Sequence, residues 1–105
     1  MIFMGTYTLP GNKTEEWTKC SLEMAEKPLP SCIKKWQIYS CAGGDGLSGF
    51  KGYNLIFAEK GQGDEALVEI NQRMLPFCQI EGSSWKIEPL LNVTDAFAIL
   101  GTKIE

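Results

Sequence analysis

The sequence predicts a single α+β domain of the split βαβ plan, four antiparallel strands with both helices on one face. Three observations predict it. Hydrophobic periods of two and of 3.6 residues follow one another in the order β-α-β-β-α-β. The chain has 105 residues, a length that holds one hydrophobic core and not two. Its 44% hydrophobic and 22% charged residues match an ordinary soluble domain, so one domain is expected over residues 1–105.

Residues 2 to 9 are rich in β formers and alternate, with Phe3, Tyr7 and Leu9 on one parity and Ile2, Met4, Thr6 and Thr8 on the other. Pro10-Gly11 stops this strand. Asn12 with Glu15 three positions on resembles a capping box, and opens a helix over about 13–27. Trp17, Cys20 and Met24 form its apolar stripe. Pro28-Leu29-Pro30 ends it, because proline lacks the amide and forces the residue before it toward extended geometry. Ile33–Cys41 and Phe50–Glu59 read as two further strands. Between them, Ala42 to Gly49 is a long glycine-rich hairpin loop. Asp64 is the expected N-cap of a second helix whose stripe is Leu67, Ile70 and Met74, with Pro76 marking its end. Trp85–Leu90 reads as the fourth strand, its Pro89 suited to an edge. A short helix over 95–100, capped by Asn92 or Thr94, is expected to follow.

In a domain whose second sheet face is wet, one strand parity should be polar. Here neither is: Tyr53, Leu55 and Phe57 occupy one side of the third strand, and Gly52, Asn54, Ile56 and Ala58 the other. The helix-free face is therefore expected to be covered by the same face of a second copy, in an isologous homodimer. An unpaired domain with an unusually apolar face is the alternative.

Ten basic and thirteen acidic residues leave a net charge of -3, without the positive excess that phosphate-backbone binding uses, so nucleic acid is not an expected partner. The chain has no histidine, which removes the commonest general acid–base and the commonest metal ligand. No metal or cofactor is expected. No apolar run approaches the roughly 20 residues of a membrane-spanning helix, and residues 1–7 lack the pattern of a secretory signal; a cytoplasmic protein is expected. Cys20, Cys32, Cys41 and Cys78 include no C-x-x-C pair and read as reduced thiols, with a disulfide or a metal site as the alternatives.

The candidate ligand-binding residues are Trp36, Tyr39, Cys41, Tyr53 and Trp85. Tyrosine in an apolar cleft supplies contact area and a hydroxyl that orients a carbonyl or phenol, and tryptophan stacks on flat ligands. Cys41, at the mouth of the glycine loop, is a nucleophile only if a neighbouring cation lowers its pKa. Each also has a plainer reading as a core or interface side chain. Gly44-Asp45-Gly46-Leu47-Ser48-Gly49 spells G-x-G-x-x-G but enters a strand, whereas a dinucleotide site needs the N-terminus of a helix. It reads as a hairpin tip, where Asp45 and Ser48 could meet a ligand.

The segment Phe3-Met4-Gly5-Thr6-Tyr7-Thr8-Leu9-Pro10, the helix start Asn12-Lys13-Thr14-Glu15-Glu16 and the late Trp85-Lys86-Ile87-Glu88-Pro89-Leu90 resemble the dimeric α+β barrel superfamily, whose ferredoxin-like subunits pack sheet against sheet. Within it the chain is most similar to a family of short prokaryotic proteins of unknown function. That family commonly has a Trp-His pair near the end of strand two, where this chain has Tyr39-Ser40-Cys41. The resemblance implies a homodimer that binds a small hydrophobic molecule in a cleft between helices and sheet. Other branches imply an alternative, a cofactor-independent monooxygenase or isomerase acting on an aromatic or polyketide-like compound. Haem ligation through histidine is excluded.

Overall fold

A computed structural model describes residues 1–42 and 49–101. Residues 43–48, which include most of the glycine loop with Asp45 and Ser48, lie outside the described residues, as do 102–105. The elements are β1 (Ile2–Pro10), a 3-10 turn (Gly11–Lys13), α1 (Thr14–Ala25), β2 (Ile33–Ala42), β3 (Gly49–Ala58), α2 (Gly63–Cys78), β4 (Ser84–Leu90) and α3 (Val93–Ile99). The strands form one antiparallel sheet in the order β2-β3-β1-β4. The fold is thus α+β with an open four-stranded sheet, an order consistent with the ferredoxin-like plan.

The parity that the sequence left open is settled by burial. Phe3, Tyr7 and Leu9 of β1 and Asn54, Ile56 and Ala58 of β3 are buried under the helices. Trp36, Ile38 and Ser40 of β2 and Trp85 and Ile87 of β4 share that face by register. The intervening residues, Ile2, Met4, Thr6 and Thr8 with Tyr53, Leu55 and Phe57, lie half-exposed on the helix-free face. A bulge at Lys34 resets β2 so that Ile33 stays in the core while Lys35 opposes Phe57 across the sheet. Gly5 is required where it stands: a Cβ there would lie 2.1 Å from the Trp85 ring, which rests directly on the β1 backbone.

The two long helices are held very differently. α2 buries Ala66, Ile70, Met74 and Phe77, whereas α1 has no fully buried residue and touches the core only through the half-buried Trp17, Cys20 and Met24. Several expectations about helix ends are corrected. Asn12 lies in the 3-10 turn, and the residue before α1, Lys13, makes no capping hydrogen bond from its side chain. Gln62, not Asp64, precedes α2, and Asp64 sits in the first turn, where its charge favours the helix dipole. Pro76 does not end α2, which runs on to Cys78. Proline removes one helical bond, but Phe77 next to it is buried, its carbonyl accepts from Tyr7 Oη (2.9 Å), and Leu75 O accepts from Gln79 N (3.2 Å). Tertiary packing carries the last turn past the proline. Asn92 does cap α3, accepting from Asp95 N at 2.8 Å.

Candidate functional site

The face under the helices contains a cavity of about 40 Å³ lined by α1 (Trp17, Ser21, Met24), the strands (Tyr7, Ile38, Ser40, Gly52, Asn54) and α2 (Met74, Phe77). Its walls are mostly apolar. Gly52 leaves the floor without a side chain between Tyr7 and Ser40, its partners across the sheet. Trp17 stacks on Phe50 at one end, ring centroids 6.3 Å apart and planes at 20°. On β2, Ile38 and Ser40 are exposed, so α1 does not seal the cavity on that side. The volume accommodates water rather than a drug-sized molecule, which needs several hundred Å³.

The buried amide at this cavity is Asn54. It is the buried polar residue among the described ones, and its amide is held from both ends. Oδ1 accepts from Trp36 Nε1 at 2.8 Å, and Nδ2 donates to Gly5 O at 3.4 Å, close to the limit of a hydrogen bond. The second bond is the weaker of the two. Tyr7 is committed elsewhere: its hydroxyl donates to Phe77 O, and burial pushes its pKa above the ordinary 10.0, the Ser83 hydrogen bond opposing this only in part. It is a fixed neutral phenol. Burial also pushes the Cys20 thiol up, with nearby Glu23 adding to it, which leaves it a poor nucleophile.

The five predicted site residues do not converge. Trp36 reaches the cavity only through Asn54. Trp85 lies over Gly5 under α2, its Nε1 donating to Asn71 Oδ1 at 3.2 Å, and does not line the cavity. Tyr39, Tyr53 and Cys41 are on the other side of the sheet, where Tyr39 pairs with Tyr53 and Cys41 with Lys51. The two tyrosines therefore do form the pair expected of adjacent strands, but outside the cleft. All four cysteines are unpaired with one another, Cys32 buried and Cys41 and Cys78 exposed. Among the described residues no group of three or more His, Cys, Asp or Glu side chains could hold a metal ion, and no helix is long and apolar enough to cross a membrane.

The helix-free face is the second candidate. Its side chains stand in four rows across β2, β3, β1 and β4: Lys35-Phe57-Ile2-Leu90, Gln37-Leu55-Met4-Glu88, Tyr39-Tyr53-Thr6-Lys86 and Cys41-Lys51-Thr8-Ser84. In the first two rows the central strands supply an apolar patch, Phe57, Ile2, Leu55 and Met4, while the charges lie on both edges and, at Lys51, on β3. Lys35 Nζ lies 5.8 Å from the centre of the Phe57 ring and Lys51 Nζ 5.4 Å from that of Tyr53. Lys86 and Glu88 pair at 3.4 Å on the β4 edge, and Thr8 and Ser84 join their hydroxyls in the last row.

This arrangement defines the class: an α+β protein with one antiparallel four-stranded sheet, α1 and α2 on one face and, on the other, an apolar patch rimmed by polar and charged residues. No protein-family model matches the chain. No curated protein matches it. Among solved structures it is similar to a DUF3240 family protein from Shewanella baltica OS155, at 9% identity and a TM-score of 0.41, over 87% of this chain and 91% of that one. A likeness of that strength carries no argument about chemistry or assembly.

Proposed function

We propose that the protein is a homodimer joined through its helix-free sheet face, each subunit keeping the cleft under α1 for a small hydrophobic ligand with one polar acceptor. The observation that carries the dimer is the pattern of the four rows. A two-fold axis along the strands lays β2 of one copy over β4 of the other. Lys35 then comes beside the second copy's Glu88, and Tyr39 opposite its Lys86, while the apolar strip of Ile2, Met4, Leu55 and Phe57 meets itself. The apolar patch is self-complementary, and Lys35 gains a carboxylate neighbour across the seam.

The ligand-binding part rests on the loose seating of α1. With no fully buried residue, this helix can move away from the sheet at small cost and enlarge the cavity, while α2 holds the rest of the core. An apolar ligand would lie along Trp17, Met24 and Ile38 and present its acceptor to Asn54 Nδ2 and the Ser40 hydroxyl.

Light scattering over a hundredfold range of concentration tests the assembly, with Met4→Asp as the disrupting variant. The expected result is a dimer for the natural chain and a folded monomer for the variant. A monomer at every concentration overturns the reading. A monomer that also binds poly(U) would assign the face to single-stranded nucleic acid, for which accessible aromatics and lysines on an open four-stranded sheet are suited. For the cleft, a melting-temperature screen with apolar acids, quinones and polyphenols is expected to find a stabilising compound whose effect Asn54→Leu reduces. A compound that stabilises both chains equally does not bind there.

A further inference from the structure

The last helix, α3, leaves both ends of its apolar stripe exposed. α3 carries an apolar stripe, Val93, Ala96, Phe97 and Leu100, at i, i+3, i+4 and i+7, the spacing of a helix that buries one face. Yet Val93, Ile99 and Leu100 are 64, 72 and 76% exposed, and Leu91 before them is exposed as well. Among the described residues, Ala96 and Phe97 in the middle of the stripe are half-buried, and it is the two ends of the stripe that stay exposed. The radius of gyration is 15.7 Å and the long axis 50 Å, whereas a compact chain of this length has a radius of about 13 Å. Residues 91–100 form a mostly exposed arm.

From the geometry we infer that this arm belongs on a second copy of the chain, where its stripe packs against Leu29 and the start of β2. The inference rests on the sheet-face dimer proposed above. β4 ends in the row that contains Lys35, the first residue of β2 in the open-face rows. Under a two-fold axis along the strands, the end of β4 therefore arrives beside the beginning of the second copy's β2. The segment leading into that strand, Pro28-Leu29-Pro30, presents Leu29, itself 46% exposed. Leu90 lies on the open face and α3 starts three residues later, so the arm continues the sheet interface without a break.

Area points the same way. Four strands spaced about 4.8 Å and paired over the length of β4 cover a footprint of roughly 450 Å². A stable interface needs about 800 Å² per partner. Two reciprocal arms supply apolar surface where the sheet alone falls short, and the same contact covers the helix stripe that each chain leaves exposed.

The test is a double-mutant cycle on dimer dissociation. Leu100→Ser and Leu29→Ser should each weaken the dimer about a hundredfold, because the two-fold dimer contains the contact twice and one buried leucine contact is worth about tenfold. The combined variant should be hardly weaker than either alone, because both remove the same contact. Leu22→Ser, on the exposed side of α1, should leave the dimer unchanged. Hydrogen exchange in residues 96–100 should slow as concentration carries the chain into the dimer. Wild-type affinity in Leu100→Ser, or strict additivity of the two substitutions, overturns the arm contact while leaving the sheet-face dimer standing. A natural chain that is monomeric throughout removes both proposals.

Discussion

The same strands build two faces with opposite demands. Under the helices, Phe3, Tyr7, Leu9 and Ile56 are nearly inaccessible and every buried side-chain polar atom among the described residues has a partner. One residue away in each case, Met4, Thr6, Leu55 and Phe57 stay half-exposed among lysines. The helix face is covered within the chain except along β2, and its core sets the stability. The open face is as apolar at its centre but lacks a cover, so its side chains are expected to govern association. Neighbours in sequence thus belong to different energetic problems.

The largest effect should separate the faces directly. Ile56→Ala empties a fully buried site and is expected to cost about 2–5 kcal/mol of folding stability in a urea titration. Leu55→Ala, its neighbour, should cost clearly less at concentrations that keep the chain monomeric, yet weaken the dimer. Equal folding losses for the two would break the distinction.

A smaller effect concerns the hydrogen bond that fixes α2 to the sheet. Tyr7→Phe removes the bond to Phe77 O and should cost about 1 kcal/mol near neutral pH. The sign of its pH dependence follows from the raised pKa. Between the ordinary 10.0 and the higher folded value, the unfolded chain has lost the phenol proton and the folded chain has kept it. Stability present below pH 10 is therefore lost as pH rises through the folded value. The gap between natural chain and Tyr7→Phe should narrow in that window, and a gap that widens would contradict the assignment.

Much of the fold was legible because periodicity, proline and cap residues agree with it. β1 and β3 alternate visibly, Pro28 and Pro30 bound α1, and Asn92 caps α3 by the local chemistry expected of it. Where the reading failed, distant contacts outweighed local preference. Pro76 signals a helix end, but the burial of Phe77 and the Tyr7 bond hold the turn that follows. Neither Asp64 nor Asn12 caps, because each lies inside the turn it was expected to precede. Of the candidate site, Tyr39 and Tyr53 were correctly set on adjacent strands, but the choice of face needs the helices. Asn54 was missed as a site residue. Its signal was present, a lone amide on the parity of Ile56 and Ala58, since a polar group at a core position must find partners. Trp85 looked like a stacking surface for a ligand, and the smooth backbone of Gly5 is what it stacks on.

The central claim is that the open faces of two copies meet with strands aligned, and a spin label on Cys41 measures this most directly. This thiol is exposed on the open face of the β2 edge, and Cys78→Ser removes the other exposed one. With sheets about 10 Å apart and strands spaced about 4.8 Å, the two β2 backbones of the dimer lie about 17 Å from each other. The account expects a single intersubunit distance of roughly 20–30 Å once the labels' own length is added to that spacing. Absence of a dipolar signal in the concentrated protein, or a distance too long for facing sheets, would contradict it.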